Sequence, residues 1–236
     1  TLSIPCVIGC EKQFKDTKFL MSTIVDITAV GNERDCQRAM KLAFEEIDRI
    51  DKMMNVYNPA SEVSRINQMA GKEAVKVSRD TMDVVIRALE FARLTDGALD
   101  ISVSPLMDLW GFRNNTKKVP SEDEIKERLP MLDYRKVIVN EDESTIKLDS
   151  PGMKIDLSSI AKGYAVDRAI HVLKDSGIQN ALVNAGGDIY AMGAPPGRDA
   201  WRIGIRHPRR NAELLGIVNL KDRAIATSGD YENFFE

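Results

Sequence analysis

Seven apolar residues, Ala39, Met40, Ala43, Phe44, Ile47, Ile50 and Met54, recur at three- and four-residue intervals with charged residues between them. That spacing predicts an amphipathic helix over about 34–54, whose apolar stripe must be buried against another layer. The layer is suggested just upstream. Residues 19–30 read F-L-M-S-T-I-V-D-I-T-A-V, a β-branched run with polar residues interspersed, which predicts a half-buried strand ended at Gly31-Asn32.

The rest of the chain repeats both patterns without regular alternation. A second helix is expected after an N-cap at Ser78, with Met82, Val85, Ile86 and Leu89 on one face and a stop at Thr95-Asp96-Gly97. Ser121-Glu122-Asp123-Glu124 is a capping-box signature opening a short helix that Pro130 closes. Residues 136–140 and 145–148 flank an acidic turn and predict a hairpin. A further helix is expected over about 158–176, with Ile160, Tyr164, Ala165, Ala169, Val172 and Leu173 inward and Gly177 past its end. Strands are expected at 181–185, 188–192, 201–206, 216–220 and 224–227. Without βαβ repetition or an internal repeat, this is an α+β fold, a single mixed α/β domain over 19–236 preceded by a polar linker at 11–18.

Composition excludes several classes. The chain of 236 residues is 43% hydrophobic and 29% charged, too apolar for disorder. Its net charge of −3 argues against nucleic-acid binding through a basic surface. No stretch approaches the roughly 20 apolar residues that a membrane-spanning helix needs. Cys6, Cys10 and Cys36 lack C-x-x-C spacing, and His171 and His207 are the only histidines, so neither a zinc ribbon nor a zincin motif is present. P-loop, G-x-G-x-x-G and G-x-S-x-G patterns are also missing. At the amino end, Val7-Ile8-Gly9-Cys10 resembles a bacterial lipobox, in which the cysteine is acylated and everything before it removed. On that reading residues 1–18 are a leader remnant and linker, and Cys10 carries a lipid anchor. The alternative is a short strand with two buried cysteines.

Four stretches place polar residues and glycines where chemistry could sit. In Asp156-Leu157-Ser158-Ser159-Ile160-Ala161-Lys162-Gly163-Tyr164 a strand passes directly into a helix. Its free N–H groups, two hydroxyls and Lys162 suit a pyrophosphate, although either serine would serve equally as a cap. Asn184-Ala185-Gly186-Gly187-Asp188 permits close approach of backbone to a ligand, or simply a tight strand connection. Thr95–Asp100 leads into Ser104-Pro105 and Leu109-Trp110-Gly111-Phe112, where the aromatic pair fits a ligand shelf or core packing. Thr227-Ser228-Gly229-Asp230-Tyr231 gathers hydroxyls and a carboxylate in a loop, as a solvated turn also would.

Taken in order, these stretches resemble the FAD:protein FMN transferases, the ApbE flavin transferases. The matching segments are Met21-Ser22-Thr23, residues 57–67 (Y-N-P-A-S-E-V-S-R-I-N), 95–100, 109–112, 156–167, 184–188 and 226–231. The resemblance implies an enzyme that splits FAD, attaches FMN through a phosphoester bond to a threonine of a target flavoprotein, and releases AMP. Mg2+ is implied to neutralise the pyrophosphate. By motif position, Met21, Tyr57, Ala98, Leu99, Asp100, Ser158, Lys162 and Tyr164 would contact FAD. Ala161 would offer its main-chain carbonyl to the metal, while Asn184, Asp188, Ser228 and Asp230 would line or brace the cleft. Ser22 and Leu99 depart from the family pattern, which has glycine and an aromatic residue there.

The family's His-x-Ile-Asp-Pro-x-Thr-Gly motif, with the expected catalytic histidine and metal carboxylate, would lie beyond Glu236, and neither His171 nor His207 matches it. The resemblance further implies a lipid-anchored protein on the periplasmic side of the inner membrane, acting on respiratory or ion-pumping redox complexes. Three other readings stay open: an FAD pyrophosphatase, with water replacing threonine, a non-catalytic FAD-binding lipoprotein, and an orphan α+β domain whose glycines and serines are turns.

Overall fold

The computed structural model describes residues 12–112, 116, 118–210 and 213–229. In chain order the elements are β1 (Lys12–Leu20), β2 (Thr23–Gly31), α1 (Glu33–Met54), α2 (Glu62–Gln68), β3 (Val75–Lys76), α3 (Arg79–Leu94), α4 (Ser104–Leu109), α5 (Glu122–Arg128), β4 (Val137–Asn140), β5 (Thr145–Leu148), α6 (Ser158–Asp175), β6 (Ala181–Ala185), β7 (Asp188–Met192), β8 (Trp201–Arg206), β9 (Leu214–Leu220) and β10 (Arg223–Ile225). Helices and antiparallel sheets are mixed without a parallel crossover, so the α+β expectation holds. The described residues divide into two compact units, 12–47 with 165–229, and those within 48–164. The division falls inside α1 and α6.

The first unit is built on a five-stranded sheet in the order β1-β2-β6-β7-β10, antiparallel throughout. One face carries Val25, Ile27, Ala29, Ala181, Val183 and Ala185, each fully buried. Lys18, on the same face of β1, lies 4.7 Å from the ring centre of Phe44 and so places α1 there. Arg168 on α6 bonds Glu46 on α1 at 3.1 Å. On the opposite face Val30, Leu182, Ile189 and Ala191 pack with Trp201, Ile203, Val218 and Leu220 of the β8–β9 hairpin. The predicted α1 stripe is buried as expected, from Ala39 at 0% exposure to Met54 at 3%.

Two expectations at the amino end fail. Residues 12–18 are not a linker but most of β1, paired with β2 from Lys12↔Gly31 to Leu20↔Thr23. The single strand expected over 19–30 is two strands, turned at Met21-Ser22. β1 is an edge strand exposed along nearly its whole length, so it lacks the apolar alternation that betrays a strand. Met21 and Ser22 take φ of +51° and +58°, as a two-residue hairpin connection requires, without glycine or asparagine to announce it.

The second unit contains α2–α5 and the small sheet β3-β5-β4. Ser78 caps α3 by accepting from the Thr81 N–H, and Ser121 and Glu124 form the predicted capping box on α5. The side chain of Ser61, itself buried, caps α2 by accepting from the Ser64 N–H. Between these elements runs the extended segment 153–157, whose Met153, Ile155 and Leu157 are fully buried. It feeds straight into α6.

Candidate functional site

Within residues 48–164, three of the predicted stretches converge on the start of α6. Asn67, at the end of the 57–67 stretch, grips segment 153–157 with its carboxamide: the side-chain NH2 donates to Ile155 O (2.9 Å) and Oδ1 accepts from Ile155 N (2.7 Å). One residue on, the Asp156 N–H donates to Ile101 O at 2.8 Å, which brings in the 95–104 loop. The Asp156 carboxylate, 8% exposed, accepts from the Ser158 N–H at 2.8 Å and so satisfies an otherwise open donor of α6. Asp156, which opens the 156–167 stretch, is a buried acid at the head of the helix.

The individual residues take distinct positions. Tyr57 follows α1 and is 58% exposed, its N–H donating to Asn55 Oδ1 at 2.9 Å. The N–H groups of Ala98 and Leu99 are both used locally, on Thr95 O and Thr95 Oγ1 at 3.1 Å each. Asp100 accepts from the Ser102 N–H and Oγ–H, both at 2.7 Å, and from the Tyr134 N–H at 3.2 Å. Its carboxylate therefore shapes the loop. Ser158 is exposed at the first position of α6, Lys162 and Tyr164 are half-buried, and Ala161 is 3% exposed within the first turns of the helix. The Tyr164 hydroxyl donates to Asp80 Oδ1 at 2.5 Å, and Arg49 donates to Asp80 Oδ2 at 2.9 Å. Sequence reading did not single out Asp80, because its partners lie 31 and 84 residues away and leave no local pattern.

Within the first unit, a cleft of about 810 Å3 draws on the 21–23, 184–188 and 226–231 stretches, lined among others by Thr23, Asp26, Asn184, Gly187, Arg206 and Ser228. Gly186 and Gly187 form the β6–β7 turn between the paired Ala185 and Asp188. The Gly186 N–H donates to Ile24 O at 3.1 Å, and a Cβ at Gly186 would stand 2.3 Å from Thr23 Oγ1. Close approach of this turn to β2 is what demands glycine, and it draws the 21–23 and 184–188 stretches together. Met21 sits half-buried in the adjacent hairpin turn.

On the cleft floor Asp26 and Asn184 are direct cross-strand neighbours. Burial opposes the Asp26 charge, but hydrogen bonds from Thr17 and Lys15 outweigh it and hold the carboxyl below its ordinary value. Asn184 Oδ1 accepts from the Gly187 N–H at 2.9 Å. Asp188 opens β7, and Ser228 follows β10. Asp230, Tyr231 and Cys10, the expected lipid-anchor position, lie outside the described residues.

His171 is exposed on α6, and His207 Nδ1 accepts from the N–H groups of Arg209 and Arg210, a turn-forming role. Among the described residues no group of three or more His, Cys, Asp or Glu side chains is placed to hold a metal ion.

Comparison with known proteins assigns this arrangement to a class. The chain is 34% identical over 245 residues to the FAD:protein FMN transferase of Vibrio cholerae, covering 99% of this chain and 72% of that protein. It is 32% identical over 194 residues to a transferase of the same name from Klebsiella pneumoniae, covering 82% of this chain and 60% of that one. The fold superposes on the crystal structure of the ApbE protein of Thermotoga maritima with a TM-score of 0.89 at 34% identity, over 95% of this chain and 73% of that one. The family description that matches, over residues 21–236, is ApbE, and the chain belongs to the ApbE family.

Proposed function

We propose that this chain binds FAD and transfers FMN to a hydroxyl of a target flavoprotein, a threonine by resemblance, with release of AMP. The observation that carries the reading is the gathering of the 57–67, 95–104 and 156–164 stretches at the head of α6, in a chain whose relatives bear the transferase name. The acceptor oxygen would bond to the phosphorus on the FMN side. The bridging bond to the AMP phosphate would break, AMP leaving with the bridging oxygen, while the hydroxyl proton passes to a base. The exposed Ser158 and Ser159 hydroxyls at the start of α6 and the Lys162 ammonium suit the diphosphate, while the Ser158 N–H is already taken by Asp156. Tyr57, exposed after α1, supplies an aromatic face for a ring.

Met21, Ala98, Leu99 and Asp100 belong to the same proposal. Since both N–H groups at 98–99 are occupied, contacts there would run through carbonyl oxygens or the Leu99 side chain. Mg2+, with the Ala161 carbonyl as one ligand, rests on the resemblance alone, as do the lipid anchor at Cys10, the periplasmic location at the inner membrane and a respiratory or ion-pumping acceptor.

The test is incubation of the full-length protein with FAD and an acceptor flavoprotein, carrying either its threonine or valine in that place. A mass gain of one FMN on the threonine form alone, with AMP in equal amount and loss of turnover on chelation, is expected. AMP and free FMN without acceptor labelling would replace the reading with hydrolysis. FAD binding without AMP would leave a binding protein.

A further inference from the structure

We propose that Asp80 is a positioning residue for the nucleotide site, acting through Tyr164 on α6. This rests on the reading that the first turns of α6 contact FAD. The Asp80 carboxylate divides its two oxygens between two elements: Oδ2 accepts from Arg49 of α1 at 2.9 Å, and Oδ1 accepts from the Tyr164 hydroxyl at 2.5 Å. Asp80 lies in the first turn of α3, where the helix N-terminus favours a carboxylate, and its side chain is 19% exposed. Arg49 alone would hold the acid in place. The additional bond to Tyr164 is between a short, charge-assisted acceptor and the second turn of α6, six residues after Ser158 and two after Lys162.

A helix can slide or rotate about its own axis unless something off-axis holds it. α6 has a modest apolar stripe near its start, where Ser158 and Ser159 are exposed and Ile160 is half-buried. The Asp156 carboxylate holds its first N–H. Arg168 holds the helix further along through Glu46, and the Tyr164–Asp80 bond adds an off-axis restraint in the second turn, which tunes the azimuth at which Lys162 and Ser158 are presented.

The experiment measures the FAD dissociation constant by flavin fluorescence, alongside the melting temperature, for the full-length protein and for Lys162→Ala, Tyr164→Phe, Asp80→Ala, Asp80→Asn and the Tyr164→Phe/Asp80→Ala pair. Tyr164→Phe and Asp80→Ala are each expected to weaken FAD roughly ten-fold, with the pair no worse than the weaker single variant. Asp80→Asn, which keeps an oxygen for the hydroxyl, should recover most of the affinity. If Lys162→Ala weakens FAD but Tyr164→Phe and Asp80→Ala change only the melting temperature, the proposal falls while the α6 reading stands. If Lys162→Ala also leaves FAD binding unchanged, both fall. Additive losses in the pair would likewise overturn the coupling.

Discussion

Replacing Asn67 by alanine tests the joint that holds the second unit's cluster together. The carboxamide makes two bonds to one residue 88 positions away, at 2.7 and 2.9 Å, and Ile155 is fully buried. Each bond contributes about 1 kcal/mol net, but removing the side chain also strands a buried N–H and a buried C=O at about 1–3 kcal/mol apiece. Partial access of water past half-buried position 67 relieves some of that cost. The expected loss is about 2–4 kcal/mol, or roughly 5–15 °C in Tm for a chain of this size. Asn67→Asp keeps an acceptor for the Ile155 N–H and loses the donor, so it should fall between.

Urea and thermal unfolding followed by circular dichroism would measure the changes, with FAD affinity recorded on the folded fraction. Segment 153–157 leads into α6, so FAD binding should weaken in the same order. A loss below about 0.5 kcal/mol for Asn67→Ala would refute the reasoning, because it would mean that the Ile155 amide finds water or another partner at no cost.

Three further outcomes follow from local geometry. Ser22→Gly should stabilise the protein by about 0.5–1 kcal/mol, since glycine takes the φ of +58° without the strain a serine bears there; Ser22→Val should do the reverse in the same melting assay. Gly186→Ala should cost more than about 2 kcal/mol and disturb the cleft, because its Cβ would stand 2.3 Å from Thr23 Oγ1 at a φ of +61°; an unchanged melting temperature would show that the β6–β7 turn shifts freely. The Glu124 carboxyl is lowered from 4.5 to about 2, first by the Lys118 ammonium and then by the Ser121 N–H. Its folded pKa lies below the unfolded one, so its stabilisation is present above 4.5 and lost as pH falls towards 2. The melting difference between the native protein and Glu124→Gln should close over that window, and a difference independent of pH would contradict the assignment.

α1, α3, α5 and α6 were legible because each advertises itself locally, whereas the short α2 and α4 were not predicted. The α1 stripe, Ser78 before α3 and the Ser121/Glu124 box are patterns within a few residues of one another. β1 was not, since K-Q-F-K-D-T-K-F-L is exposed on both faces and its stability comes from pairing with β2. The turn at Met21-Ser22 was hidden for a related reason: the register of the hairpin imposes left-handed backbone on residues that do not prefer it. At the candidate sites, the order of the stretches pointed to the family, but the bonds that assemble them span tens of residues. Nothing near Asn67 or Asp80 signals a partner 80 or more residues distant. Asp100 shows the converse difficulty, because a loop carboxylate has the same sequence signature whether it faces a ligand or, as here, its own backbone.

Hydrogen exchange of the full-length protein with and without FAD tests the central claim most directly, because it reads every backbone segment at once. The account predicts added protection in residues 57–67, 95–104 and 156–164, and at the turns 21–24 and 184–187, with the β4–β5 hairpin unchanged. Protection absent from the head of α6, or confined to segments outside these stretches, would contradict it.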